Sequence, residues 1–106
     1  MREDSSFQFR TWFITGCSSG LGRALAVAAL QAGDRVVATA RRPDSLAGLV
    51  AQAPERCLAH ALDVRDPAEV QAAVAESIAR FRRLDVVVNN AGHGLIGAVE
   101  ECGESE

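Results

Sequence analysis

A chain of 106 residues, 48% hydrophobic and 24% charged, is long enough for one modest domain and too apolar to stay disordered along most of its length. Its net charge of −3, with arginines scattered rather than clustered, gives no electrostatic reason to expect a nucleic acid or an anionic membrane as partner. The acidic start MREDSSFQFR lacks the apolar core of a secretory signal, and no apolar run approaches the ~18 residues of a membrane span, so a soluble, cytoplasmic protein is expected.

Strand and helix patterns then alternate. The β-rich run Thr11 to Thr15 stops at Gly16, and Leu21, Leu25, Ala28 and Ala29 recur at helical spacing up to Gly33, a natural helix terminator. Arg35 to Ala40 reads as a second strand, followed by Pro43 and a modest helix around DSLAGLVAQA. CLAHAL leads as a third strand into Asp63. At Asp66-Pro67-Ala68-Glu69 a helix start is written in local chemistry: Asp66 caps, Pro67 suits the first helical position and Glu69 completes a capping box. Val70, Val74, Ile78 and Phe81 form one apolar stripe on that helix. The unbroken Val86, Val87, Val88 of LDVVVNNAG suits a fourth strand covered on both faces. The order βαβαβαβ implies an α/β fold with parallel strands and right-handed crossovers. The expected layout is a flexible arm over 1–10, a nucleotide-binding half-domain over 11–99 and a polar tail over 100–106.

The stretch TGCSSGLG, Thr15 to Gly22, sits between the first strand and the first helix. Such a turn brings bare backbone N–H groups and the positive helix end to one point, where a phosphate or pyrophosphate can sit. Taken alone, the pattern is weak, and the glycines of a tight strand-to-helix turn could serve packing only. A P-loop is excluded, because Gly22 is followed by Arg23 in a chain that contains no lysine. Just past the second strand, where a dinucleotide fold places an acid for a ribose 2′-OH or an arginine for a 2′-phosphate, stand Arg41 and Arg42, with no carboxylate before Asp44. Arg41 is the expected charge sensor; Arg42 could equally be a solvated loop residue.

Together these motifs resemble the short-chain dehydrogenase/reductase family. TGCSSGLG fits that family's TGxxxGxG loop, Leu62-Asp63-Val64 its adenine-contacting Asp after the third strand, and Asn89-Asn90-Ala91-Gly92 its fourth-strand signature. The resemblance implies a Rossmann-type doubly wound parallel sheet, first half, with strand order 3-2-1-4. It implies that Gly16, Ser18, Gly20, Leu21 and Gly22 hold the phosphates, that Arg41 selects NADP(H) over NAD(H), that Asp63 and Val64 read the adenine, and that Asn90, Ala91 and Gly92 line the ribose side. Without it, Asp63 reads as a helix cap or loop acid and Asn89 as a turn former. With strand order 3-2-1-4, DVVVN becomes an unpaired apolar edge, and self-association through it is expected.

The departure from the family is as informative. Its chemistry needs a tyrosine as acid/base, a lysine beside it and a serine, all beyond the NNAG segment. This chain has no tyrosine and no lysine, and its only serine beyond that segment is Ser105. No catalytic residue is therefore assigned. The implied protein is an NADP(H)-dependent oxidoreductase of a carbonyl or alcohol substrate, present as its cofactor-binding half; the alternative is a non-catalytic, stand-alone nucleotide-binding or interaction module. No metal is expected: Cys17, Cys57 and Cys102 lack ligand spacing and read as reduced thiols. His60 reads as a satisfied imidazole in a strand, His93 as a loop residue and Cys17 as a small residue the loop tolerates.

Overall fold

The computed structural model describes residues 9–90; residues 1–8 and 91–106, with most of the expected arm, the polar tail, Ala91, Gly92, His93 and Cys102, lie outside it. Four strands, β1 (Thr11–Ile14), β2 (Arg35–Ala40), β3 (Cys57–Ala61) and β4 (Val86–Val88), form one sheet in the order β3-β2-β1-β4, all neighbours parallel. Helices α1 (Gly20–Gln31), α2 (Ala47–Gln52, entered through a 3₁₀ turn Pro43–Leu46) and α3 (Pro67–Phe81) connect them. The expected strand order is the observed one.

Side chains alternate across a strand, so each strand feeds two cores. Ile14, Val36 and Ala38 point to the face covered by α1 and α2, where they meet Ala26, Leu30, Leu46 and Leu49. Phe13 and Val37 point to the other face, against Leu62, Ala73 and Phe81. Coverage of both faces explains why the strands are continuous apolar runs rather than alternating ones.

The helix faces differ from expectation in two places. On α1 the buried residues are Gly22, Ala26, Ala29 and Leu30, while Leu21 is 65% exposed. The first turn of α1 stands over the glycine loop, not over the sheet, so the residue that must be inside there is Gly22. On α3 the buried face runs through Ala73, Ser77 and Phe81, and Ile78 is 46% exposed. Ser77 takes the inner position because its hydroxyl is satisfied within its own helix, donating to the Ala73 carbonyl at 2.7 Å.

The start of α3 is a second correction. Asp66 does cap, accepting from the Ala68 N–H at 3.0 Å, with Pro67 in the first turn. The capping box does not form: the Asp66 N–H already donates to the Asp63 carbonyl at 3.0 Å, and Glu69 instead accepts from the Asp63 N–H at 2.8 Å. Glu69 thus fixes the loop between β3 and α3. At the opposite end of the sheet Asp34 accepts from the Trp12 indole N–H at 2.8 Å and from the Arg10 N–H at 3.0 Å, tying the entry of β1 to that of β2.

Candidate cofactor site

In a parallel sheet, ligands collect at the carboxyl ends of strands where the order reverses. Here the chain runs outward from β1 through β2 to β3 and returns to the other side of β1 as β4, so the reversal lies between β1 and β4, where Ile14 pairs with Val88. The Thr15–Gly22 loop leaves from that point.

The loop is held by its backbone and by few side chains. Thr15 N–H donates to the Val88 carbonyl at 3.0 Å and Cys17 N–H to the Thr39 carbonyl at 2.9 Å. Gly16 and Gly20 have φ of 68° and 66°, a left-handed conformation that favours glycine. Gly22 is required by space: a Cβ there would stand on the Gly16 carbonyl oxygen and 2.8 Å from Asn90 Nδ2. The Ser19 side chain makes no capping bond to α1, and Ser18, Ser19, Gly20 and Leu21 are exposed. The result is a cradle of exposed backbone at a helix start, which fits a pyrophosphate in shape and in electrostatic sign.

Asn90 is locked to this loop. Its N–H donates to Thr15 Oγ1 at 2.9 Å, and its Nδ2 to the Gly16 carbonyl at 3.2 Å. Thr15 Oγ1 in turn donates to Asn89 Oδ1 at 2.9 Å. Thr15 is the organising residue that sequence reasoning passes over. Its signal is visible all the same: a polar residue following the apolar run Trp12-Phe13-Ile14, directly before the first glycine.

A second cluster lies at the ends of β2 and β3. Arg41 and Arg42 are exposed, and among the described residues their side chains make no hydrogen bond or ion pair. Asp63 accepts three hydrogen bonds from Arg65, from its backbone N–H at 2.9 Å and Nε at 3.0 Å on Oδ1, and from Nη2 at 2.9 Å on Oδ2. The Arg65 guanidinium, its backbone N–H and, more weakly, the charge of Arg41 hold the Asp63 carboxyl down to about 2. Val64, partly buried, packs against the second core. The structure therefore brings Gly16, Gly22 and Asn90 together, and Arg41 together with Asp63.

Two other candidates are placed as structural. His60 Nδ1 is 2.7 Å from the Ala61 carbonyl and Nε2 is 2.9 Å from Glu76 Oε1, so the ring is satisfied between β3 and α3. Cys17 is buried, donates to the Ile14 carbonyl at 3.2 Å, and burial pushes its thiol up to about 11; Cys57, also buried, is pushed up to about 11 as well. Both are inert thiols at neutral pH. A raised folded value means the unfolded chain loses these protons first, so their contribution to stability is complete below about pH 9 and is lost as pH rises towards 11. Because the chain has neither lysine nor tyrosine, few other groups titrate in that window. Urea midpoints should fall between pH 8.5 and roughly 10.5, and Cys17→Ala/Cys57→Ala should flatten the fall. An equal slope in the double variant would show that the thiols are not its cause.

A parallel sheet of this order with a glycine cradle at its reversal point is the architecture of the doubly wound class, the class that includes the dinucleotide-binding folds. The model of the short-chain dehydrogenase family matches residues 10–106. The chain is 50% identical over 93 residues to the oxidoreductase BOA17 of Botryotinia fuckeliana, covering 87% of this chain and 34% of that protein. It is 38% identical over 82 residues to the NADP-dependent 3-hydroxy acid dehydrogenase YdfG of Salmonella typhimurium, covering 77% and 33%. Its fold superposes on a short-chain dehydrogenase from Streptomyces avermitilis with a TM-score of 0.76 at 50% identity, covering 79% of this chain and 31% of that one. The chain belongs to the short-chain dehydrogenase family, and it spans about a third of the length of these relatives. Among the described residues no helix is long and apolar enough to cross a membrane, and no group of three or more His, Cys, Asp or Glu could hold a metal ion.

Proposed function

We propose that this chain supplies the NADP(H)-binding part of an oxidoreductase acting between an alcohol and a carbonyl. The observation that carries the reading is the pairing of a bare-backbone cradle at the start of α1 with the exposed guanidinium of Arg41 at the end of β2. Gly16, Ser18, Gly20, Leu21 and Gly22 present backbone to the pyrophosphate, and the exposed Leu21 gains apolar cover when the ligand sits there. Arg41 takes the 2′-phosphate, and Asp63 and Val64 meet the adenine. Asn90 borders the ribose side of the cofactor; Ala91 and Gly92, which follow it in sequence, lie outside the described residues. The NADP dependence of the Salmonella relative supports the cofactor choice. When bound, the nicotinamide supplies the hydride; these residues bind and orient it, and none of them moves a proton.

The second reading is a nucleotide-binding or interaction module without turnover. A positioned acid/base is commonly worth about 10² to 10⁴ in rate, and the 106 residues hold none of the family's type. On the first reading these 106 residues by themselves bind the cofactor and do not turn over. NADPH at a hundredfold excess over its dissociation constant should stabilise the fold by about 2.7 kcal/mol, readable as a rise in melting temperature, while no carbonyl is reduced. A melting temperature that NADPH leaves in place would sink the cofactor assignment. Among the described residues the outer side of β4 is unpaired, which is also consistent with self-association through that edge.

A further inference from the structure

We infer that Arg65 is a positioning residue for phosphate selectivity: by occupying Asp63 it keeps the neighbouring Arg41 free to receive a 2′-phosphate. The inference rests on the reading of this site as one for NADP(H).

The geometry starts from the strands. Register pairs Ala40 with Ala61, and the Ala40 carbonyl accepts from the Leu62 N–H at 3.0 Å. Arg41 and Asp63 are thus one and two residues beyond a paired position, at the same end of adjacent parallel strands. Opposite charges so placed attract, and an arginine fork matches a carboxylate well. Yet among the described residues Arg41 makes no ion pair, while Asp63 is taken by Arg65. Arg65 wins because it is local: two residues along, it delivers its backbone N–H and its guanidinium to the same carboxylate without closing a long loop. A carboxylate offers about four acceptor positions, and Arg65 fills three of them, leaving one on Oδ2 for an amino group such as that of adenine.

Without Arg65, the Asp63 carboxylate stands open beside Arg41. Arg41 then turns onto it, and an incoming 2′-phosphate must break that pair and also sit next to an uncompensated negative charge. A ligand with no 2′-phosphate meets neither obstacle. The effect therefore appears in the contrast between two ligands, not in binding as such.

The test uses adenosine 2′,5′-bisphosphate and 5′-AMP, which differ by the 2′-phosphate and need only the adenosine side of the site. Calorimetric affinities for the full 106-residue chain should favour the bisphosphate. Arg65→Ala should shrink that preference about three- to fivefold, the size expected of one exposed ion pair. Adding Asp63→Asn to Arg65→Ala should restore it, because Arg41 then has no carboxylate to turn to. Arg65→Gln, which keeps a donor of similar reach, should fall between; circular dichroism checks that each variant is folded. An unchanged preference in Arg65→Ala overturns the inference. So does a lowered preference that Asp63→Asn fails to restore, since that would mean Arg65 touches the phosphate itself. If the unsubstituted chain shows no preference for the bisphosphate, the NADP(H) reading fails, and this one with it.

Discussion

Gly22→Ala is expected to destabilise the chain by about 2–4 kcal/mol and to abolish nucleotide binding, whereas Gly20→Ala, two residues away in the same loop, should cost only about 1 kcal/mol. The two glycines are present for different reasons. Gly20 has a φ of 66° and nothing within 4 Å of the point a Cβ would occupy, so alanine there meets conformational strain and no collision. Gly22 meets backbone: its Cβ would press on the Gly16 carbonyl oxygen and reach 3.0 Å from the carbonyl carbon. Backbone cannot rotate out of the way as a side chain can. Relief requires moving Gly16, which breaks the Asn90 Nδ2 bond to its carbonyl and distorts the glycine cradle. For a domain of this size the difference is roughly 10–25 °C in melting temperature for Gly22→Ala against about 4–8 °C for Gly20→Ala. Equal losses in the two variants would show that conformation, not close approach, is what both positions require.

What the sequence discloses about this fold follows from where each interaction is made. β2 is readable to the residue, Arg35 to Ala40, because its apolar run is bounded by a glycine turn and a proline. The cap of α3 is readable because Asp66 and Pro67 act within one turn. Glu69 misleads because its best donor depends on whether the Asp66 N–H is already engaged, and that is settled by the Asp63 loop. Leu21 and Ile78 belong to apolar stripes yet lie outside, because periodicity marks which residues share a stripe but not the angle at which the helix meets the sheet. The same division holds at the site. Glycines announce themselves through residue type, and Arg41 through its place after β2. Thr15 gains its role from Asn89, 74 residues away, and Arg65 gains its role from the direction of its side chain. Thr15 shows in the linear pattern only as a polar residue directly before the first glycine, and Arg65 leaves no mark there.

NADPH should bind at least about tenfold more tightly than NADH, and Arg41→Asp should reverse the order. A charge-assisted contact to phosphate is worth about 1.5–3 kcal/mol, and the exposure of Arg41 places it toward the lower end of that range. Salt provides an independent check. The 2′-phosphate contact is between exposed charges, so the NADPH advantage should shrink as ionic strength rises to ~0.5 M, while NADH affinity changes less. The carboxylate of Arg41→Asp repels a 2′-phosphate and can accept from a ribose 2′-OH, which turns a loss for NADPH into a gain for NADH. Arg42→Ala should only soften the ratio. The emission of the reduced nicotinamide reports binding directly. Trp12, whose indole is fixed to Asp34 at the far end of β1, reports instead whether each variant remains folded. Equal affinities for NADH and NADPH in the folded parent chain would refute the assignment of Arg41, and a preference that survives Arg41→Asp would transfer it to Arg42 or to another cation near the end of β2.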